Sequence, residues 1–253
     1  MIEPWQLPIL FAVGLVAGFV DSIAGGGGLI ALPALLSCGV DPKFALGTSK
    51  LQATFGSSSA AWHYMRAGTV DVKECGRGFL LAVVGSALGT LLVQQLDPSF
   101  LRRFIPVLLA AVALYALLKP TLGAHDHPPR MSAGLFDATF IMFIAFYDGF
   151  FGPGSGMFWT MALVLVMGFN LTRATAHAKV VNFGSNASSL VFFMIKGQVL
   201  FPAGLAMGVG QLLGARIGSQ MVVKCGTKFI RPVFITAVLV LTTKLLYDAF
   251  LKK

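Results

Sequence analysis

Charge is scarce in this chain. Of its 253 residues only 11% are charged, with 10 acidic against 19 basic, while 56% are hydrophobic and the mean hydropathy is +0.81. Soluble domains carry about 25% charged residues, so a water-soluble globular fold is excluded and a multi-span membrane protein is implied. Cysteine is scarcer still: Cys38, Cys75 and Cys225 share no CxxC spacing, which favours neither a disulfide framework nor a metal site. Basic residues are few at the start, where Glu3 stands in place of the positive region of a signal peptide. The first apolar run therefore reads as an uncleaved span. The net charge of +9 does not point to nucleic acid, because the basic residues sit mostly in short connections between apolar segments.

Apolar sequence in membrane-sized runs fills the rest. About 20 apolar residues cross a hydrocarbon core of about 30 Å, and the stretches 5–23, 44–64, 79–96, 100–118, 134–151, 174–195, 203–223 and 229–250 come close to that length. Two shorter pieces, 29–38 and 157–168, would cover only about half a membrane and are expected as half-helices or re-entrant segments. Between 119 and 131 the chain turns polar and rich in proline, dividing a first half, 1–118, from a second, 132–253. His125 and His127 in this linker lack a third ligand nearby and are read as a solvated loop rather than a metal site.

One broken hydrophobic pattern occurs in both halves. The first copy runs from Asp21 through Gly25, Gly26, Gly27 and Gly28 to Lys50 and Gly56-Ser57. The second runs from Asp148 through Gly152-Pro153-Gly154-Ser155-Gly156 to Lys179 and Gly184-Ser185, at nearly the same internal spacing. Each half then carries a Gly-xxx-Gly pair, Gly85 with Gly89 and Gly210 with Gly214, and a span with Pro106 or Pro232. Such pairs let helices approach closely, against either a neighbour in the chain or a second subunit of a homodimer. Equivalent loops differ in charge: Arg66, Lys73 and Arg77 in the first half face only Lys196 in the second. Opposite bias favours inverted over parallel halves. The inside would then collect Lys119, Arg130, Lys224, Lys228 and Arg231, with both termini outside and Arg102, Arg103, Lys252 and Lys253 on the less favoured face.

Glycine costs about 1 kcal/mol relative to alanine inside a helix, so a run of four stops it. Broken backbone at membrane depth is tolerated where it lines a cavity or packs in protein, and new helix starts attract anions. Two readings follow: a substrate cradle of Gly25 to Gly28 with Gly152, Gly154, Ser155 and Gly156, or close helix packing. Duplication favours the cradle. A P-loop is excluded because Leu29 and Ile30 follow the glycines, and Ser155 has no base and no matching serine in the first copy. No catalytic constellation or cofactor motif stands out, so the chain is not expected to be an enzyme.

Lys50, Thr54 and Ser57 fall on one helix face, as do Lys179, Asn182 and Asn186. A lysine at bilayer depth costs at least about 2.5 kcal/mol and should face a partner or water. The lysines either line a cavity or snorkel to the surface. His177 is a further candidate lining group, Arg173 an interfacial anchor, and Arg216 an ion-pair partner within a span. Asp21 and Asp148, just before the breaks, could carry a coupling proton, pair with a lysine or cap the following turn. Asp137, Asp248 and His63 have no twin and read as structural.

The runs Gly18 to Leu29, Ala45 to Gln52, Phe146 to Gly154 and Ala174 to Lys179 resemble the TauE/SafE sulfite-exporter family, also called TSUP, most closely its YfcA-like branch. The resemblance covers essentially the whole chain. It implies a permease of the bacterial inner membrane for sulfite, sulfonate-related or other small anions. The second copy departs from the plain glycine pattern at Pro153 and Ser155, and Pro33 lacks a clear partner, which argues against a strictly symmetric site. The expectation is therefore an all-helical, polytopic membrane protein with two homologous halves and glycine-broken helices. It would act as a secondary transporter of a small anion with no cofactor, Lys50 and Lys179 balancing the anion's charge. A passive anion channel, an intramembrane enzyme and a structural membrane partner are the competing classes.

Overall fold

The computed structural model describes residues 3–97, 99–101, 104 and 126–226, which are helical and without strands. Most of the expected span at 100–118 and all of that at 229–250 lie outside the described residues. So do Pro106, Pro232, His125, Arg102, Arg103, Lys119, Lys228, Arg231, Asp248, Lys252 and Lys253. The described helices are α1 (Gln6–Ala24), α2 (Gly28–Ser37), α3 (Pro42–Arg66), α4 (Val72–Gln95), α5 (Ala133–Phe150), α6 (Ser155–Val166), α7 (Leu171–Ile195) and α8 (Phe201–Cys225). Within α5 the stretch Asp137–Ile141 is one π-helical turn.

The boundaries have local causes. Asp41, with Pro42 behind it, caps α3 by accepting from the Lys43 N–H, Asp71 caps α4 through the Lys73 N–H, and Asn170 caps α7 through the Arg173 N–H. In the linker, the Asp126 carboxylate accepts from the Asn170 N–H at 2.6 Å, which ties the linker to the start of α7 and holds that carboxyl below its ordinary range. Among the described helices only α1, α4 and α5 combine span length with apolarity throughout. Helices α3, α7 and α8, each 25 residues, are about 37 Å long and also long enough to cross. Their lower hydropathy reflects polar residues buried inside the bundle, such as Gln52, Ser185, Ser189 and Gln211.

The halves interleave. The most extensive contacts join α1 to α8 and α4 to α5, then α8 to α3 and α4 to α7, with α3 against α7 at the centre. The first helix of each half thus lies on the fourth helix of the other. Both Gly-xxx-Gly pairs serve these seams: a side chain on Gly85 would meet the Met142 carbonyl at 2.6 Å, and one on Gly210 or Gly214 would meet the α1 backbone at Leu15 N and Phe19 N, each at 2.8 Å. Of the two partners weighed for these glycines, the neighbouring helix of the same chain is the one in place.

Contacts also fix helix directions. Gly14 packs on Met207 and Gly18 on Gln211, while Leu51 packs on Gly204 and Phe55 on Gly208, so α1, α3 and α8 run parallel. Gly85 lies on Met142, Gly89 on Phe146, Ser86 bonds the Ser185 carbonyl and Thr90 bonds Ser189, so α4, α5 and α7 run parallel as well. Between these groups α3 and α7 cross in opposite directions, with Gly47 on Phe193 and Lys50 reaching Asn186. Chain continuity then requires α2 to lead back to the end from which α1 set out. At the opposite end lie Arg66, Lys73, Arg77, Arg130, Arg173 and Lys224, tied together in part by Arg173–Glu74 at 2.9 Å and by His127 N–H to the Gly168 carbonyl at 2.7 Å. The α1-start end holds Lys43 and Lys196 among the described residues.

Candidate functional site

The two breaks meet tip to tip inside the bundle. Helix α1 stops where Gly25 adopts φ 74°, and α6 starts after Gly152 and Gly154 at φ 101° and 84°, a region that side-chain-bearing residues rarely enter. A side chain on Gly156 would lie 2.6 Å from the Gly25 Cα, and one on Gly28 would lie 3.0 Å from the Pro153 Cα. These glycines therefore let two turns of backbone touch at the point where both helices are interrupted. Of the two roles weighed for them, close packing is the one these contacts display.

Around the tips stand two ion pairs, each formed between halves. The Lys179 Nζ lies 2.7 Å from Asp21 Oδ2, and the Lys50 Nζ lies 3.1 Å from Asp148 Oδ1. Lys50 also donates to the Asp148 carbonyl and, at 3.3 Å, to Asn186 Oδ1. All four charged residues are buried, Lys179 and Asp148 to 1% exposure. Asp21 Oδ1 accepts from the Gly27 N–H at 3.2 Å, before the start of α2. Asp148 accepts from the Ser155 hydroxyl at 2.6 Å, at the start of α6, and from Ser185. Of the three roles considered for these aspartates, lysine pairing is present in both, and capping of the broken turn in Asp21, whereas Asp148 reaches the start of α6 only through the Ser155 hydroxyl.

This arrangement has a chemical meaning. A helix start with free N–H groups and a buried ammonium are the two features that attract an anion. In this conformation the protein's own carboxylates occupy both lysines, and Asp21 also takes the Gly27 N–H before α2, while Asp148 takes the Ser155 hydroxyl at the start of α6. Two lysines and two aspartates sum to zero charge, the condition under which such a cluster can be held out of water. The cavity beside them, lined by Asp21, Lys50, Asp148, Asn182, Asn186 and Gln211 together with Gly25, Gly28, Gly152, Gly154 and Ser155, has a volume of only about 30 Å³. That is room for about two waters. The site is closed on its own ion pairs.

Residues 10–245 match the family model described as sulfite exporter TauE/SafE. The chain belongs to the TauE/SafE family. A protein of Haemophilus influenzae named a probable membrane transporter is 46% identical over 242 residues, covering 96% of this chain and 95% of that one. The Escherichia coli probable membrane transporter YfcA is 45% identical over 249 residues, covering 98% and 93%. Bacillus subtilis YunE, named likewise, is 27% identical over 265 residues, covering 95% and 97%. No solved structure matches. The fold and the comparisons together make this TauE/SafE chain a helical membrane transporter and not an enzyme.

The expected site residues of the TauE/SafE chain divide into two groups. Gly25, Gly28, Lys50, Gly152, Gly154, Ser155, Asn182 and Asn186 come together at the cavity with Asp21 and Asp148, while Lys179 stands behind Asp21. Gly26, Gly27 and Gly156 belong to the tips but do not line the cavity. Thr54 and Ser57 turn their hydroxyls back onto their own helix, to the Lys50 and Ala53 carbonyls. His177 is buried away from the cavity, its Nδ1 3.5 Å from the Cys75 Sγ and its ring 5.7 Å from that of Phe169. Arg173 pairs with Glu74 at the helix start and lies over the Phe169 ring at 4.0 Å, which fits an anchor at the membrane edge. Arg216 meets the His63 Nδ1 at 2.7 Å, so its partner is an imidazole where a carboxylate was expected. Sequence reasoning overlooked Gln211, Ser49 and Ser185. The signal for Ser185 was present, since it follows Gly184 in the repeated Gly-Ser pair; Gln211 stands outside the repeated pattern.

Proposed function

We propose that this TauE/SafE protein is a multi-pass secondary transporter of the bacterial inner membrane that carries a small anion by alternating access, in step with a proton. Sulfite, a sulfonate-related compound or another small organic anion fits the family name and the site. The observation that carries the reading is the pair of buried carboxylates seated on the two lysines at the two half-helix starts. An incoming oxyanion takes the place of a carboxylate, which accepts a proton and lets its lysine go. The opposite directions of α3 and α7, and the way α1 on α8 repeats as α5 on α4, support halves inverted about an axis in the membrane plane. Rocking one group of parallel helices against the other would then open the site to either side.

Labelled sulfite or sulfoacetate should exchange saturably into proteoliposomes preloaded with the unlabelled anion. Flux that rises linearly with concentration and shows no counterflow would identify a channel and overturn the carrier. The basic end of the bundle, with Arg130 in the linker, faces the cytoplasm by the positive-inside rule, which puts the start of α1 outside. With Cys38 and Cys225 replaced by serine, a cysteine at Arg130→Cys should accordingly resist an impermeant maleimide in intact spheroplasts and react in inverted vesicles. Labelling in intact spheroplasts would reverse the orientation.

A further inference from the structure

Gln211 is a buried glutamine with an unused hydrogen-bonding atom, on a transmembrane helix and at the edge of the cavity. It is 1% exposed, and its Oε1 has no partner. Buried polar groups are nearly always paired, so an orphan amide calls for a physical reason. The bundle makes space for it on two sides. A side chain on Gly18 of α1 would lie 2.7 Å from the Gln211 Cα, and one on Gly56 of α3 would lie 2.8 Å from its Nε2. The bare face at Gly56 lets the amide pass between helices to reach the cavity it shares with Lys50, Asn182 and Asn186.

The other half supplies an internal comparison. Ser86 follows Gly85 as Gln211 follows Gly210. Its hydroxyl is fully engaged, donating to the Ser185 carbonyl at 2.7 Å and lying 2.6 Å from the Ser189 hydroxyl. Gly184, the twin of Gly56, borders the Phe79 ring instead of an amide. One half therefore closes its seam with satisfied hydroxyls and an aromatic ring, whereas the other presents an amide oxygen that accepts no hydrogen bond in the closed state. A methionine would fill the same volume without leaving a buried polar atom unpaired, so packing alone does not explain a glutamine here.

We propose that Gln211 contacts the substrate, its unpartnered Oε1 accepting a hydrogen bond from the hydroxyl of an oxyanion in its protonated form, such as hydrogensulfite, once the lysines are released. The assignment rests on the transport reading above. It makes α8 the element that distinguishes among small oxyanions and gives the site a single orientation instead of two equivalent ones.

The test is sulfite counterflow in proteoliposomes with KM and maximal rate resolved, beside thermal unfolding of the same proteins in detergent. Gln211→Met should raise KM at least about tenfold, the loss expected for one hydrogen bond to a charged group, with the maximal rate within about twofold and Tm unchanged or higher. Gln211→Glu, which places a negative charge against the anion, should abolish exchange. Ser86→Ala at the twin position should lower Tm with KM unchanged. If the wild-type protein exchanges sulfite saturably and Gln211→Met keeps its KM, whatever its Tm, the assignment of Gln211 is overturned and the transport reading stands. If the wild-type protein shows no saturable exchange of any small oxyanion, both fall together.

Discussion

Lys50→Ala should reduce anion exchange at least about 100-fold and destabilise the protein by about 3–5 kcal/mol, the usual result of removing one partner from a buried ion pair. The stability loss arises because Asp148 would be left charged and 1% exposed, with only the Ser155 and Ser185 hydroxyls to hold it. The two effects can be separated. Lys50→Met combined with Asp148→Asn removes both charges at similar volume, so thermal stability should return to near the wild-type value. Transport should not return, because the ammonium that receives the anion is gone. Lys179→Ala with Asp21 should behave the same way, since that pair is equally cross-linked between halves at 2.7 Å. Full exchange in both single variants would remove the lysines from the mechanism.

Much of this architecture was legible in the sequence because membranes impose coarse rules. Apolar runs of span length and glycine-rich interruptions located most of the described helices to within a few residues, as when the expected 134–151 became Ala133–Phe150, but α4 begins at Val72, seven residues before the expected 79–96, because its first two turns carry Lys73, Glu74 and Arg77. The half-helices 29–38 and 157–168 appeared as Gly28–Ser37 and Ser155–Val166. The repeated Asp, Gly, Lys order likewise marked the residues that converge. Sequence spacing does not say which lysine meets which aspartate, because that depends on helix packing between halves. The swap of partners, Lys50 to Asp148 and Lys179 to Asp21, follows from α3 and α7 crossing in opposite directions.

Helical periodicity also overstates a polar stripe. Thr54 and Ser57 share a face with Lys50 in projection, yet hydroxyls one turn above a carbonyl readily bond back to it, and both do so. His177 lies half a turn from Lys179, and that rotation directs it toward Cys75 and Phe169 rather than toward the break. Gln211 was invisible for the opposite reason. Its importance comes from an absent side chain on another helix, at Gly56, and not from anything adjacent to it in the chain.

Asp148→Asn should uncouple anion movement from protons. The closed cluster of Lys50, Lys179, Asp21 and Asp148 is neutral, so entry of a monoanion by itself would leave a net negative charge at the centre of the bundle. A proton taken up by Asp148 restores neutrality and frees Lys50 at the same moment; both groups line the cavity, whereas Lys179 does not. In the wild-type protein an imposed pH gradient should therefore drive accumulation of the anion on the alkaline side. Asparagine imitates the protonated carboxyl permanently. Exchange at equal pH should persist in Asp148→Asn while gradient-driven accumulation disappears. The variant should also be less stable without ligand, since Lys50 loses its counter-charge, and regain stability on addition of the anion. Because the stabilisation grows as RT ln(1 + [L]/Kd), a hundredfold excess over Kd would return about 2.7 kcal/mol. The wild-type protein, which must give up an ion pair to bind, should be stabilised less by the same addition. Equal accumulation in both proteins under the same gradient would exclude Asp148 as the proton carrier and leave Asp21, hydrogen-bonded to the Gly27 N–H in the other half, as the remaining carboxylate of the cluster.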